Sequence, residues 1–250
     1  CAYLPNIITL PDNSLLCFMR LGQAFYSADG NLVTAKSTDG GETWELIGTV
    51  WDTKNDLRPY SYSAPHCTLL KDGRLVLIAF RFDASDPNRF MFNHDTGGMA
   101  EMENILFFSS DLGETWSKPY YLDIPFSVPS NAPSSVIELE DGSLFLGIES
   151  WKSWDDRSLL HIKTFGIYSE DGGKTWGDPV SFPSNNDKEA MYYHSRFIKT
   201  SRGTIAALQW AQKLDTKKDL DLHFVESNTT GKKWGLPVPT GIVGQTSWLS

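Results

Sequence analysis

Four stretches of the chain repeat one pattern: an apolar strand, a tight polar turn and a second apolar strand. They are NIITLPDNSLLCFMR, CTLLKDGRLVLIAFR, SVIELEDGSLFLGIE and RFIKTSRGTIAALQW, with turns at Asp12–Asn13, Asp72–Gly73, Asp141–Gly142 and Arg202–Gly203. Short apolar runs broken by such dipeptides predict β-hairpins, because Gly and Asn accept the left-handed backbone that a tight turn between strands demands.

A second motif recurs out of phase with the first. STDGGETW (Ser37 to Trp44), SSDLGETW (Ser109 to Trp116) and SEDGGKTW (Ser169 to Trp176) share Ser-x-Asp-x-Gly-x-x-Trp, and SNTTGKKW (Ser227 to Trp234) is a degenerate copy with Thr229 in place of the aspartate. The serines stand 72, 60 and 58 residues apart, a spacing that suits one four-stranded propeller blade per repeat. The motif's work is structural: Ser and Asp accept hydrogen bonds from nearby backbone N–H groups, Gly supplies a backbone shape that a Cβ obstructs, and Trp covers the hairpin. With strands of about six residues, each Asp-Gly turn and the box two strands later fall on the same end of the blade. The opposite end is left for function.

Composition narrows the partners. The 250 residues carry 40% hydrophobic and 21% charged residues, enough apolar content for a sizeable core. A net charge of -9 without a Lys/Arg cluster speaks against nucleic acid, and no apolar run is long enough to span a bilayer as a helix. Cys1, Cys17 and Cys67 match no zinc or disulfide spacing and read as buried thiols. No metal site and no cofactor is expected.

The boxes and their spacing resemble those of the sialidase superfamily, the BNR or Asp-box repeat family, over essentially the whole chain. The resemblance implies an all-β, sialidase-like β-propeller of six blades with its catalytic funnel opposite the Asp boxes. This chain is then one incomplete domain, 1–250, with blades at approximately 1–60, 61–128, 129–188 and 189–240 and the start of a fifth at 241–250. No signal peptide is recognisable, and the compartment is unknown beyond the secreted or periplasmic setting that the resemblance suggests. The family's sialidases hold the substrate carboxylate with three arginines and use an aspartate as acid/base and a tyrosine nucleophile paired with a glutamate. Here Tyr3 in AYLP stands at the first arginine's place, and Pro133 and Glu149 stand at those of the glutamate and second arginine. Asp29 in YSADGNL stands where the acid/base aspartate is expected, although Ala-Asp-Gly-Asn is equally a good turn.

The residues themselves suggest a sugar site. Glu149 ends an apolar strand and is followed by Trp151, Trp154, Asp155 and Asp156, and acids beside indoles suit acid/base work on a stacked pyranose. Asp29 and Glu149 are the catalytic candidates. Arg20 and Arg81 end what read as corresponding strands, with Asp83 beside the latter, and His66 and His194 read as matching rim positions near Tyr193 and Trp210. Tyr3, Arg20, His66, Arg81, Asp83, Trp151, Asp155, Tyr193, His194 and Trp210 are the candidate binding residues. The insertion from Asp83 to Asn104 reads as a rim loop or lid. The leading expectation is a glycoside hydrolase with a specificity other than sialic acid, taking a glycan as partner. The alternatives are a non-catalytic glycan- or protein-binding propeller and an exo-α-sialidase with a rearranged arginine set that includes Arg20 and Arg81.

Overall fold

The computed structural model describes residues 1–228 and 231–245. Its Cα atoms form two compact units, residues 1–93 with 100–122 and residues 94–99 with 123 onward. The first unit holds two four-stranded antiparallel sheets in chain order: β1 (Ala2–Thr9), β2 (Leu15–Leu21), β3 (Asn31–Ser37) and β4 (Glu45–Thr49), then β5 (Tyr60–Leu69), β6 (Leu75–Asp83), β7 (Met102–Ser109) and β8 (Tyr120–Tyr121). The second unit holds β9 (Ser130–Asn131), β10 (Ile137–Glu138), β11 (Leu144–Ser150), β12 (Lys163–Ser169) and β13 (Val180–Ser181), then β14 (Ala190–Lys199), β15 (Ile205–Lys213), β16 (Asp221–Glu226) and β17 (Val238–Val243). The segment expected to open a fifth blade thus begins inside β17, where Val243 pairs with Asp221, and residues 246–250 lie outside the described residues.

Each hairpin turns where the pattern places it. Asn13, Gly73, Gly142 and Gly203 have φ of 65°, 88°, 84° and 79°, the left-handed region that few other residues enter cheaply. The box serine lies beside the same end of the sheet: Leu15 pairs with Ser37, Leu75 with Ser109 and Leu144 with Ser169. Inside each box the serine Oγ accepts the N–H of Gly41, Gly113 or Gly173 at 2.8–2.9 Å, and the aspartate accepts the N–H of Thr43, Thr115 or Thr175 at 2.9–3.0 Å. These bonds lower the carboxyls of Asp111 and Asp171 to about 2, led by the Thr115 and Thr175 hydroxyls. Of the degenerate copy, Thr229 lies outside the described residues; the Gly231 N–H donates to Asn228 O at 2.9 Å in place of the serine, and Ser227 Oγ accepts the Ile205 N–H at 2.8 Å instead.

The box tryptophan does more than cover its own hairpin. Trp116 meets Phe18 of the preceding sheet edge-on at 5.6 Å, and Trp234 lies 4.0 Å from Phe182 and 5.6 Å from Phe145, again in the preceding sheet. The first unit's core joins Leu16, Phe18 and Leu32 to Tyr62, Leu77 and Phe107, and the second's joins Phe145 and Tyr168 to Phe197 and Ile205. A side-chain clasp repeats between the innermost strands of each unit. Asn6 Oδ1 accepts the Cys67 N–H at 2.8 Å, and Ser134 Oγ accepts the Phe197 N–H at 3.2 Å. Cys17 and Cys67 are buried as expected, while Cys1 is exposed at the start of the first strand.

The innermost strands carry a shared irregularity. β1, β5 and β14 bulge between Tyr3 and Asn6, Ser63 and His66, and Tyr193 and Arg196, with Leu4, Ala64 and His194 at φ of 55°, 50° and 49°. The residue after each left-handed position is Pro5, Pro65 or Ser195. In the third sheet the same stretch, around Pro133, interrupts the strand into β9 and β10, since proline has no N–H for the ladder.

Candidate functional site

Register decides which candidates share a face. Arg20 pairs with Tyr3, Phe80 with Ser63, Glu149 with Asn131 and Trp210 with Tyr193. Arg20, Phe80, Glu149 and Trp210 each stand seven residues beyond the left-handed turn residue, so they are the equivalent positions. Arg81 is therefore one residue out of step with Arg20 and faces the other side of its sheet. There its guanidinium is buried against Asp56 (3.0 Å), Glu103 (2.7 Å) and the Tyr62 hydroxyl (3.1 Å), with the Tyr60 ring centroid 3.6 Å away. The histidines are corrected likewise: by the bulges His66 matches Arg196, and His194 matches Ala64. His66 is buried in β5.

Glu149 sits at the centre of the second unit's candidate site, and it is not at a solvated rim. It is 0% exposed, and burial pushes its carboxyl up to about 7 against the pull of the Ser195 and His194 backbone and of Arg196. The Ser195 N–H donates to Oε1 at 2.8 Å, while Oε2 has no hydrogen-bond partner among the described residues. The bulge explains the contact: its left-handed His194 takes Ser195 out of the β14–β15 register, and the freed N–H needs an acceptor. Where Pro5 and Pro65 occupy this position no N–H exists to satisfy, so the difference between Pro and Ser195 was a signal readable in the sequence. Ser195 Oγ in turn accepts from Gln209 Nε2 at 3.0 Å and lies 3.4 Å from Thr164 Oγ1, all three residues being buried. Gln209, Ser195 and Thr164 were not among the expected site residues.

Aromatic rings surround this network. Tyr193 stacks on Trp210 at 4.4 Å, His194 lies parallel to Trp210 at 5.9 Å, and Trp151 meets Tyr193 and His194 edge-on at 6.4 and 6.3 Å. Two indole N–H groups are anchored, Trp151 to Asn131 Oδ1 at 2.7 Å and Trp210 to Asp219 Oδ1 at 2.8 Å. Burial and then Arg196 lower the His194 imidazole to about 4, so it is neutral at pH 7. The same unit holds the middle of the expected lid. Thr96 Oγ1 donates to Trp154 O at 2.6 Å, the Met99 N–H donates to Lys152 O at 3.0 Å, and a Cβ on Gly98 would stand 2.2 Å from Ser153 O. This stretch is a docked strap on the Trp151–Trp154 loop. Asp155 on that loop is exposed.

In the first unit Arg20 is fully buried. Its Nη2 donates to Ser27 O at 2.6 Å and Ser61 Oγ at 3.2 Å, and a Cβ on Gly22 or Gly30 would come within 2.5 Å of the guanidinium. Asp29 is exposed and braces the loop above, accepting the Gln23 N–H at 3.1 Å and the Ser27 hydroxyl. The Ser27 bond, with that from Gln23, holds its carboxyl below the usual range despite some burial. Asp29 is thus an ionised turn brace, unlike a carboxyl poised to give up a proton near neutrality. Tyr3 meets Phe25 edge-on at 5.4 Å, and Asp83 pairs with Arg58 at 3.0 Å.

Comparison with known proteins places this geometry. The BNR/Asp-box repeat family model matches residues 35–46, the first box. A sialidase of Paraclostridium sordellii is 27% identical over 80% of this chain and 52% of its own length, and a sialidase of Clostridium perfringens is 27% identical over 75% and 51%. The solved structure of a Hadza microbial sialidase superposes on 96% of this chain and 47% of its own, with a TM-score of 0.72 and 19% identity. The chain is similar to sialidases in sequence and in fold, and it carries the BNR/Asp-box repeat. Its fold is the all-β propeller seen in those solved sialidases, and the chain spans about half the length of the curated sialidases it matches. Of the expected site residues, the sheets bring Glu149, Trp151, Tyr193, His194 and Trp210 together, and they remove Arg20 and Arg81 from any open surface.

Proposed function

We propose that this protein is a glycoside hydrolase of the sialidase type acting on a neutral sugar. The kinship with proteins named sialidases supports hydrolysis of a glycoside. The specificity rests on one observation. Tyr3 and Glu149 stand where the resemblance requires carboxylate-binding arginines, and the two arginines that were candidates to replace them, Arg20 and Arg81, are buried and engaged with other groups. Without them a sialic acid carboxylate lacks its bidentate partners from these blades. The aromatic cluster of Trp151, Tyr193 and Trp210 suits the C–H face of a pyranose, with Glu149 behind it as a proton-holding brace for the His194–Ser195 backbone.

The intact protein, assayed on chromogenic glycosides, is expected to turn over a neutral substrate and to leave α-sialosides untouched. Release of sialic acid at a comparable rate overturns the specificity. A second reading, glycan binding without catalysis, is favoured by the complete burial of Glu149 and by Asp29's commitment to its turn. It prevails if no glycoside is cleaved while sugars still bind.

A further inference from the structure

We propose that a pocket at the box end of the first unit is a docking site for an extended peptide, which adds to the free edge of β4 and inserts a tyrosine side chain. The pocket lies between Thr34, Lys36, Ile47 and Gly48 on the outer strands of the first sheet and Glu114 and Trp116 of the second box. It shares no residue with the cluster around Glu149 or with the loop that carries Asp29.

The first sheet differs from the other three at one pair of positions. Thr34, Leu106, Gly166 and Phe224 each stand three residues before the box serine, and their partners on the outermost strands are Gly48, Tyr120, Val180 and Val238. Only the first sheet places a hydroxyl at the inner position and no side chain at the outer one. A Cβ on Gly48 would meet nothing within 4 Å, so the space above it is open. Thr34 is 2% exposed, and its hydroxyl has no hydrogen-bond partner among the described residues. A buried hydroxyl left unpaired is costly, so a ligand that brings a polar atom to it is favoured.

Size and chemistry together select that ligand. The volume of about 280 Å³ falls just below the roughly 300–1,000 Å³ of small-molecule sites, which suits a single inserted side chain. Its walls are the Trp116 indole and the aliphatic groups of Leu16, Leu112 and Ile47, with the Thr34 hydroxyl as the buried polar point. A tyrosine satisfies both, laying its ring on the walls and exchanging a hydrogen bond between its phenol and Thr34 Oγ1. Lys36 and Glu114 contribute one charge of each sign, which suits an uncharged flank. The backbone has a partner as well. β4 ends its sheet, pairs only with β3 among the described residues, and exposes all five of its residues. A strand added there gains main-chain hydrogen bonds, and every second side chain of it falls on the pocket's side of the sheet.

The intact protein is titrated, by calorimetry and saturation-transfer NMR, with an acetylated and amidated pentapeptide of four threonines around a central tyrosine. Copies with phenylalanine or alanine at the centre, and one N-methylated on the tyrosine and both its neighbours, serve as comparators. The tyrosine peptide is expected to bind, the phenylalanine copy about threefold to tenfold more weakly, and the alanine and N-methylated copies at least tenfold more weakly. Thr34→Val keeps the shape, should erase the preference for tyrosine over phenylalanine, and should leave the thermal midpoint equal or higher because no orphan hydroxyl remains. Thr34→Leu, which installs the second sheet's residue, should abolish binding and leave glycoside turnover unchanged. Ile47→Ala should weaken the tyrosine peptide about threefold, and at 43% exposure its removal keeps the fold. The proposal is overturned if the tyrosine peptide does not bind, if it binds no tighter than the alanine or N-methylated copy, or if Thr34→Val and Ile47→Ala both leave its affinity unchanged. None of these outcomes bears on glycoside cleavage, so the two readings fail separately.

Discussion

Glu149 makes the stability of the protein depend on pH. Its carboxyl is raised from 4.5 to about 7 because burial penalises the charged form. A raised carboxyl means that the folded state holds the proton more tightly than the unfolded one. Stability is then full below about pH 4.5 and falls as pH rises through about 7, by about 3 kcal/mol once the group ionises. Glu149→Gln retains an acceptor for Ser195 but has no charge to bury. It should match the parent near pH 4 and exceed it by up to about 3 kcal/mol at pH 8, as read by denaturant unfolding at both pH values. Arg81 is the converse case, a buried cation whose partner Asp56 also has only 3% of its side chain exposed. Arg81→Met leaves that carboxylate without its countercharge, held only by the Tyr62 hydroxyl and the Trp51 indole N–H, and a loss of about 3 kcal/mol is expected in the same unfolding assay. The sequence showed Glu149 beside indoles and Arg81 beside aspartates. It did not show that both are buried, because burial depends on what neighbouring strands lay over them.

At the scale of the element, the hairpin turns and boxes were legible because their code is local: a left-handed residue in the turn, and a Ser and an Asp that catch backbone amides within four residues. Removing one such catch tests the structural assignment. Asp111→Ala leaves the Thr115 N–H and hydroxyl without their acceptor and should lower the thermal midpoint while leaving substrate preference unchanged, as followed by calorimetry and by the glycoside panel. Strand register was less legible. Counting from the turns makes Phe80, not Arg81, the counterpart of Arg20, and a slip of one residue turns a side chain to the opposite face. The bulges added a second slip, which is why His66 and His194 looked equivalent and are not.

At the scale of the molecule, the repeats announced the propeller, since four copies of one supersecondary unit admit few architectures. The chemistry was harder to read, because a site shared among blades depends on which equivalent position each blade fills and with what. The clasps between innermost strands offer a measurement at this scale. The amides of Cys67 and Phe197 donate outward, to Asn6 of the preceding sheet and to Ser134 on the preceding innermost stretch, and not into their own ladders. Fraying within a sheet leaves them covered; only the parting of two neighbouring sheets uncovers them. In deuterated solvent these two amides should exchange more slowly than the exposed outer strands β4 and β17. Asn6→Ala and Ser134→Ala should each accelerate only the amide it holds. Cys67 and Phe197 would then be built-in gauges of how often adjacent blades breathe apart, one for each compact unit.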